Sequence, residues 1–118
     1  MRKREIAQSG NFILAMSPKL GDGMRVIRSF ADKEVEKIFR GDRSRKLPLE
    51  IQPRANMKLF NIDQATTLEH LLLPPSNRLE ALSGNLKGFW SIRINQQWRI
   101  VFRWNHADAH DVTITDYH

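Results

Sequence analysis

The last third of the chain alternates apolar and polar residues with period two, and this pattern constrains the fold more than any other feature. It runs through "FWSIRIN" (residues 89–95), "QWRIVFRW" (97–104) and "DVTITDYH" (111–118), with turn-rich pieces between them. Successive side chains of a strand point to opposite faces of a sheet. The pattern therefore predicts a meander of antiparallel strands with one apolar face and one polar face.

The polar face of this predicted sheet carries arginines. Arg99 and Arg103 alternate with the apolar residues of the middle stretch, and Arg93 does the same in the stretch before it. We call these three residues the arginine face. The opposite face is formed by large apolar side chains, which are more typical of a core than of a base-stacking platform: Trp98, Ile100, Phe102 and Trp104.

Two helices are predicted upstream. "ADKEVEKIFRG" has acids in its first turn, an apolar face at helical spacing and Gly41 as its stop. A second helix has an apolar stripe from Ile51 to Ile62, and Pro53 fits only its first turn, so it should start near residue 51 or 52. Thr66 and Glu69 suggest a capping box for one further turn. The expected class is α+β, a twisted antiparallel sheet packed on two N-terminal helices.

Two shorter stretches also favour extended structure. "VIRSF" (residues 26–30) suits a first strand, and residues 78–81 suit a short strand or an extended arm. Residues 1–23 lack sustained periodicity and end in a Gly-Asp-Gly breaker, so they are expected to form a flexible N-terminal extension. The folded domain is placed at residues 24–118.

Composition narrows the class of protein. The 118 residues suffice for one domain with a real core, and they include no cysteine that could form a disulfide or a thiolate metal site. No apolar run approaches the length of a membrane span, which predicts a soluble, cytoplasmic protein without membrane partners. The net charge of +6 favours polyanionic partners such as nucleic acid, although an ordinary basic domain would have the same charge.

The arginine face and the chain end suggest RNA chemistry. Guanidinium groups match phosphate oxygens, and cleavage by the RNA's own 2′-hydroxyl needs only a base, an acid and cations, with neither metal nor cofactor. The ordinary pKa of histidine suits His118 to either proton transfer, and Asp116 can orient or charge-stabilise it from the same strand face. Tyr117 points the other way and can stack on a base or hydrogen-bond a phosphate. The alternative is that these three residues form a solvated strand end. Lys87, in a glycine-containing loop, can reach a phosphate or remain a solvated surface lysine.

A metal site is not expected elsewhere. His106 and His110 have the i, i+4 spacing of helical metal ligands, but "HADAH" falls in a predicted turn between strands. No third or fourth ligand is evident.

The sequence resembles a known family. "RLEALSGNLKGFWSIRINQQWRIVFRW" with the terminal "DVTITDYH" is similar to the HigB-type plasmid-maintenance killer toxins of the RelE/ParE toxin superfamily. The likeness extends through "IRSFADKEVEKIF" and "LPLEIQPRANMKLFNIDQATTLEHL", and so covers residues 24–118. It implies a RelE-like microbial ribonuclease-type fold.

The resemblance also implies a function. Such toxins are ribosome-dependent mRNA endonucleases that inhibit translation, and a HigA-type helix-turn-helix antitoxin silences them. The toxin reaches operator DNA only through the antitoxin complex. ParE-like members of the superfamily instead inhibit DNA gyrase, and the terminal Asp-Tyr-His argues against that alternative. The antitoxin can cover the arginine face with an acidic segment or bind the back of the sheet with a helix.

The resemblance assigns site residues by position. Asp116, Tyr117 and His118 fall at the active site, and Arg93 and Arg99 at phosphate-binding positions. Some relatives have histidine where this chain has Glu80, which is either the base for the 2′-hydroxyl or a structural partner of an arginine. Asn95 occupies a position where relatives have a phosphate-binding arginine, so these contacts are expected to have moved along the strand.

Overall fold

A computed structural model describes residues 25–116 of the chain. The predicted N-terminal extension at residues 1–23 lies outside the described residues, as do Tyr117 and His118.

The two predicted helices are both present. Helix α1 is Lys33–Phe39, and the Asp32 side chain accepts a hydrogen bond from the Val35 amide at 3.0 Å, which caps its N-terminus. Helix α2 is Gln52–Gln64 and follows a single 3₁₀ turn. Pro53 lies in its first turn, where its missing N–H breaks no hydrogen bond of the helix. The expected start near residue 51 or 52 is confirmed.

The sheet has four strands, and each pairs antiparallel with the next. The order β1-β2-β3-β4 is the predicted meander. Its strands are β1, Glu80–Ala81; β2, Phe89–Arg93; β3, Trp98–Asn105; and β4, Asp108–Asp116.

Short turns join the last three strands. Between β2 and β3, the Asn95 side-chain oxygen accepts hydrogen bonds from the amides of Gln97 and Trp98 at 2.8 and 2.7 Å. Between β3 and β4, His106 and Ala107 both have positive φ, at 53° and 68°, which matches the right-handed twist of a two-residue hairpin. The turn is shorter than the sequence suggested, since His110 lies within β4.

The predicted first strand is only partly formed. Residues 26–30 make two isolated bridges to β4, and both are parallel. The Arg28 amide donates to the Ala109 carbonyl at 2.8 Å, and the Val112 amide donates to the Ser29 carbonyl at 3.1 Å. The segment therefore follows the outer edge of β4 without adding a regular strand to the meander.

The core lies between the apolar face of the sheet and the two helices. Trp98 and Trp104 pack against it at its rim, as expected of core tryptophans. The largest fully buried apolar side chains come from both layers: Val35, Ile38, Leu59, Ile62, Leu71, Ile92, Ile100, Phe102 and Val112.

The predicted capping box is wrong. The turn that follows α2 is a 3₁₀ helix, Leu68–Leu72, with Thr67 at its N-cap and no side-chain cap. The Thr66 amide instead donates to Nδ1 of His70 at 3.2 Å. Within residues 25–116, none of the helices has both the length and the apolar character needed to cross a membrane.

Candidate active site

The register of the sheet brings the arginine face together. Arg93 of β2 lies directly opposite Arg99 of β3, and Arg103 lies two pleats further along β3. Opposed residues of an antiparallel pair point to the same side, so the three arginines share the face opposite the apolar one that packs on the helices. The sequence prediction of one arginine face is confirmed.

Arg99 is less accessible than expected. Its residue is only 7% exposed. Its Nη2 donates to the Arg78 carbonyl at 2.6 Å, and its Nη1 lies 3.6 Å from Oε1 of Glu80. The expectation that Arg99 is displayed on the surface is therefore wrong, because the edge segment before and within β1 supplies acceptors that hold the guanidinium down.

Glu80 takes part in this arrangement from the edge strand. It lies opposite Ser91 of β2, and its side chain is 51% exposed. Of the two roles that the sequence left open, its position supports that of a partner for Arg99. The carboxylate is also accessible enough to accept a proton from a bound molecule.

The end of β4 continues in register with β3. Thr115 lies opposite Arg99, and Asp116 lies opposite Trp98. Asp116 therefore belongs to the Trp98 side of the strand, whereas the arginine face is on the other side. The Gln97 side chain donates to the Asp116 carboxylate at 3.0 Å. The described part of β4 thus ends one residue after the position opposite Arg99.

The remaining predicted phosphate ligands differ in availability. Lys87 is exposed in the loop before β2. Arg93 is partly buried and donates from Nε to the Asn95 carbonyl at 3.1 Å. Arg103 pairs with Asp111 at 3.3 Å, and the Asn95 side-chain oxygen is used within its own turn. Lys87 is thus the one exposed residue of the four, and the other three are partly buried.

A buried polar pair behind the site was not predicted. Lys58 of α2 is 5% exposed, and its ammonium group donates to Oδ1 of Asn77. Burial, and secondarily the nearby Arg54 guanidinium, lowers the pKa of Lys58 below its usual value. A signal was available, since Lys58 follows Ala55 by three residues and so falls on the apolar stripe of α2.

Asn77 fixes the chain just before β1. It is fully buried, and its Nδ2 donates to the carbonyls of Leu71 and Leu73 at 3.1 and 3.2 Å. Arg78 follows it with a left-handed backbone conformation, φ 47° and ψ 56°. The position of Arg78 beside Arg99 had no signal in the sequence, because the contact is made by a backbone carbonyl.

Metal coordination has no support in the described residues. Among residues 25–116, no three His, Cys, Asp or Glu side chains are grouped so that they could hold an ion. His106 lies in the turn between β3 and β4, and His110, which was expected in the same turn, lies within β4.

Comparisons with known proteins agree with this architecture. The chain is 43% identical to Toxin HigB-1 of Vibrio cholerae over 76 residues, which span 64% of this chain and 80% of that protein. It is 33% identical to the Endoribonuclease HigB of Proteus vulgaris over 97 residues, which span 79% of this chain and all of that protein.

A solved structure has the same fold. A chain of the YoeB-YefM complex from Staphylococcus aureus superposes with a TM-score of 0.51 and 23% identity, covering 78% of this chain and 94% of that one. A profile described as "RelE-like toxin of type II toxin-antitoxin system HigB" matches residues 28–118. The chain therefore belongs to the HigB-like family of RelE-like toxins of type II toxin–antitoxin systems.

Proposed function

We propose that this toxin is an endoribonuclease that inhibits translation by cutting mRNA on the ribosome, without a catalytic metal or cofactor. The observation that carries the proposal is the register of β4, which runs beside β3 as far as Asp116. Asp116, the last described residue, follows Thr115, which lies opposite Arg99. Arg99 and Arg93 are the cations that we propose for the scissile phosphate. The name of the Proteus vulgaris relative, Endoribonuclease HigB, supports the same activity.

The terminal residues would supply the proton transfers. The 2′-oxygen attacks phosphorus and loses its proton to a base, the P–O5′ bond breaks, and the leaving 5′-oxygen receives a proton from an acid. We assign one of these transfers to His118, whose ordinary pKa lies close to neutrality. Asp116 orients or charge-stabilises the imidazole, and Tyr117 stacks on a base or contacts a phosphate oxygen.

The basic residues would hold the phosphate. Charge builds up on the non-bridging oxygens in the transition state, and preorganised donors stabilise it. Arg99 is the most firmly held donor, because the Arg78 carbonyl and the Glu80 carboxylate fix its guanidinium. Arg93 contributes from the neighbouring strand. Lys87 reaches flanking phosphates from its loop.

The remaining candidates have supporting roles in this proposal. Glu80 is the partner that positions Arg99, with action as the 2′-hydroxyl base as the alternative. Arg103 and Asn95 lie at the margins of the RNA path, where Arg103 is already paired with Asp111 and Asn95 shapes the turn before β3.

The partners follow from the toxin's class. We propose a HigA-type helix-turn-helix antitoxin, with contact to operator DNA only through the toxin–antitoxin complex. The ribosome with its mRNA is the substrate, which places the action in the cytoplasm. A net charge of +6 favours approach to ribosomal RNA.

The proposal is tested by mRNA cleavage in a reconstituted translation system. The wild-type chain should produce discrete cuts that require ribosomes, with no divalent ion beyond the Mg²⁺ that ribosomes need. His118→Ala should lower the cleavage rate by about 10²- to 10⁴-fold, because it removes a general acid or base. Circular dichroism of the variant should match that of the wild type.

Two results would contradict the proposal. One is undiminished cleavage by His118→Ala, which would remove the imidazole from the reaction. The other is a wild-type chain that cuts no mRNA but blocks supercoiling by DNA gyrase in a parallel assay. That outcome would move this toxin to the ParE-like mode of action.

A further inference from the structure

The strained backbone of Arg78 points to a function for its side chain. A left-handed conformation costs a residue with a β-carbon roughly 1–2 kcal/mol relative to its ordinary conformations, and glycine or asparagine adopts it more easily. Here the position is occupied by arginine at φ 47°. Such outliers persist where the surrounding structure fixes them, and they concentrate at functional sites.

The surrounding structure fixes this backbone from both sides. The preceding residue, Asn77, is fully buried. Its side chain accepts a hydrogen bond from the Lys58 ammonium group and donates to the carbonyls of Leu71 and Leu73. The Arg78 carbonyl accepts a hydrogen bond of 2.6 Å from the Arg99 guanidinium. All of these contacts involve either Asn77 or the backbone of Arg78, so none of them uses the Arg78 side chain.

The Arg78 side chain itself is exposed. Within residues 25–116, the ion pairs of the site join Arg99 to Glu80 and Arg103 to Asp111, and no carboxylate lies within pairing distance of Arg78. Its side chain is therefore presented to solvent at the edge of the sheet, while its backbone carbonyl contacts the buried guanidinium of Arg99.

We propose that Arg78 is an RNA-phosphate-binding residue of this toxin, which contacts a phosphate beside the one held by Arg93 and Arg99. The inference rests on the proposed endoribonuclease function. Arg99 has a double task in this arrangement, since it faces the scissile phosphate and also holds the Arg78 backbone in place. An exposed arginine fork at this edge suits bidentate binding of phosphate oxygens.

Substitutions at Arg78 separate charge from backbone strain. Arg78→Lys and Arg78→Gln both keep a β-carbon, so they have similar backbone strain and differ in charge. Arg78→Gly removes both the charge and the strain, and its urea midpoint should equal or exceed that of the wild type. Arg43→Gln is the matched control. It also removes one positive charge, but from the exposed loop after α1, which is distant from Arg78 in the sequence.

The experiment measures cleavage at subsaturating toxin in the reconstituted translation system, over a series of salt concentrations. Arg78→Gln and Arg78→Gly should cut about tenfold more slowly, the effect of losing roughly 1.4 kcal/mol of binding. Arg78→Lys should stay within about threefold of the wild type, and Arg43→Gln should match it. The logarithmic salt dependence should become shallower by about one in Arg78→Gln, because one phosphate contact is lost.

Cleavage by Arg78→Gln at the wild-type rate and salt dependence would overturn the inference while leaving the proposed function intact. Equal losses of cleavage rate in Arg78→Lys and Arg78→Gln would also overturn it. They would show that the rate depends on the shape of the side chain and not on its charge. A wild-type chain that cuts nothing would remove the proposed function, and the inference with it.

Discussion

At the scale of single residues, the site depends on how one guanidinium is held. Arg99 would be expected to extend into solvent from its strand, but the Arg78 carbonyl and the Glu80 carboxylate keep it close to the sheet. A preorganised donor of this kind loses little entropy when it meets the phosphate. In the proposed mechanism Glu80 affects the reaction by positioning Arg99. An experiment can distinguish this role from that of the base for the 2′-hydroxyl.

Glu80→Gln distinguishes the two roles. We expect cleavage to fall by less than about tenfold, since loss of a general base costs about 10²-fold or more. Stability in urea should change by less than about 1 kcal/mol, because the pair is largely exposed on the Glu80 side. Glu50→Gln, an exposed change before α2, is the control. A loss above 100-fold at unchanged stability would identify Glu80 as the base.

At the scale of elements, the β3–β4 pair contains a β-bulge, which changes the side of the sheet to which the residues of β4 point. The register shifts between Val101 and Arg103, so that two residues of β4, Asp111 and Val112, occupy the place opposite one residue of β3. Asp111 has φ 54° there, and its amide donates to the Ser29 hydroxyl at 2.9 Å. The shift lets Ala109 and Val112 both be buried, although strict alternation would place them on opposite faces.

The positive φ of Asp111 at this register shift predicts the relative stability of two variants, Asp111→Ala and Asp111→Gly. Asp111→Ala keeps the cost of a β-carbon at positive φ and loses the pair with Arg103, so it should be destabilised. Asp111→Gly loses the same pair but relieves the backbone, and should be more stable than the alanine variant by about 1 kcal/mol. Urea unfolding of the two variants measures this difference. An alanine variant as stable as the glycine variant would mean that the backbone is not strained at this position.

At the scale of the whole molecule, one buried carboxylate joins the helical layer to the edge of the sheet. Asp63, in the last turns of α2, is 1% exposed and accepts hydrogen bonds from the amides of Val26 and Ile27, both at 3.0 Å. Those two residues begin the segment that lies along β4. The end of α2 thus fixes the segment that protects the outer strand carrying Asp116.

Removing this link should affect the global stability. Asp63→Ala leaves two buried amides without their acceptor, and we expect a loss of about 3 kcal/mol or more in the free energy of unfolding. Asp63→Asn keeps an oxygen that can accept both bonds and should lose less. Urea unfolding gives the energies, and hydrogen exchange at Val26 and Ile27 should quicken most in the alanine variant. Unchanged exchange at these amides would show that Asp63 does not fix the segment.

The sequence by itself determined which faces are apolar and where the elements lie. The period of two in the last third predicted three strands and the arginine face, and the helical spacing before it predicted α1 and α2. These features depend on neighbours a few residues apart, and so each short stretch contains the information. The chain-end residues Asp116, Tyr117 and His118 were assigned to the site by residue type and resemblance, and their roles stay a prediction.

Tertiary structure decided the contacts between distant parts of the chain. The burial of Arg99 depends on a carbonyl 21 residues away, and the parallel course of residues 26–30 depends on Asp63 and β4. Asp116 faces the Trp98 side because the β3–β4 register continues to the end of β4. Backbone acceptors and register shifts have no residue type of their own, so only the packed molecule could specify them.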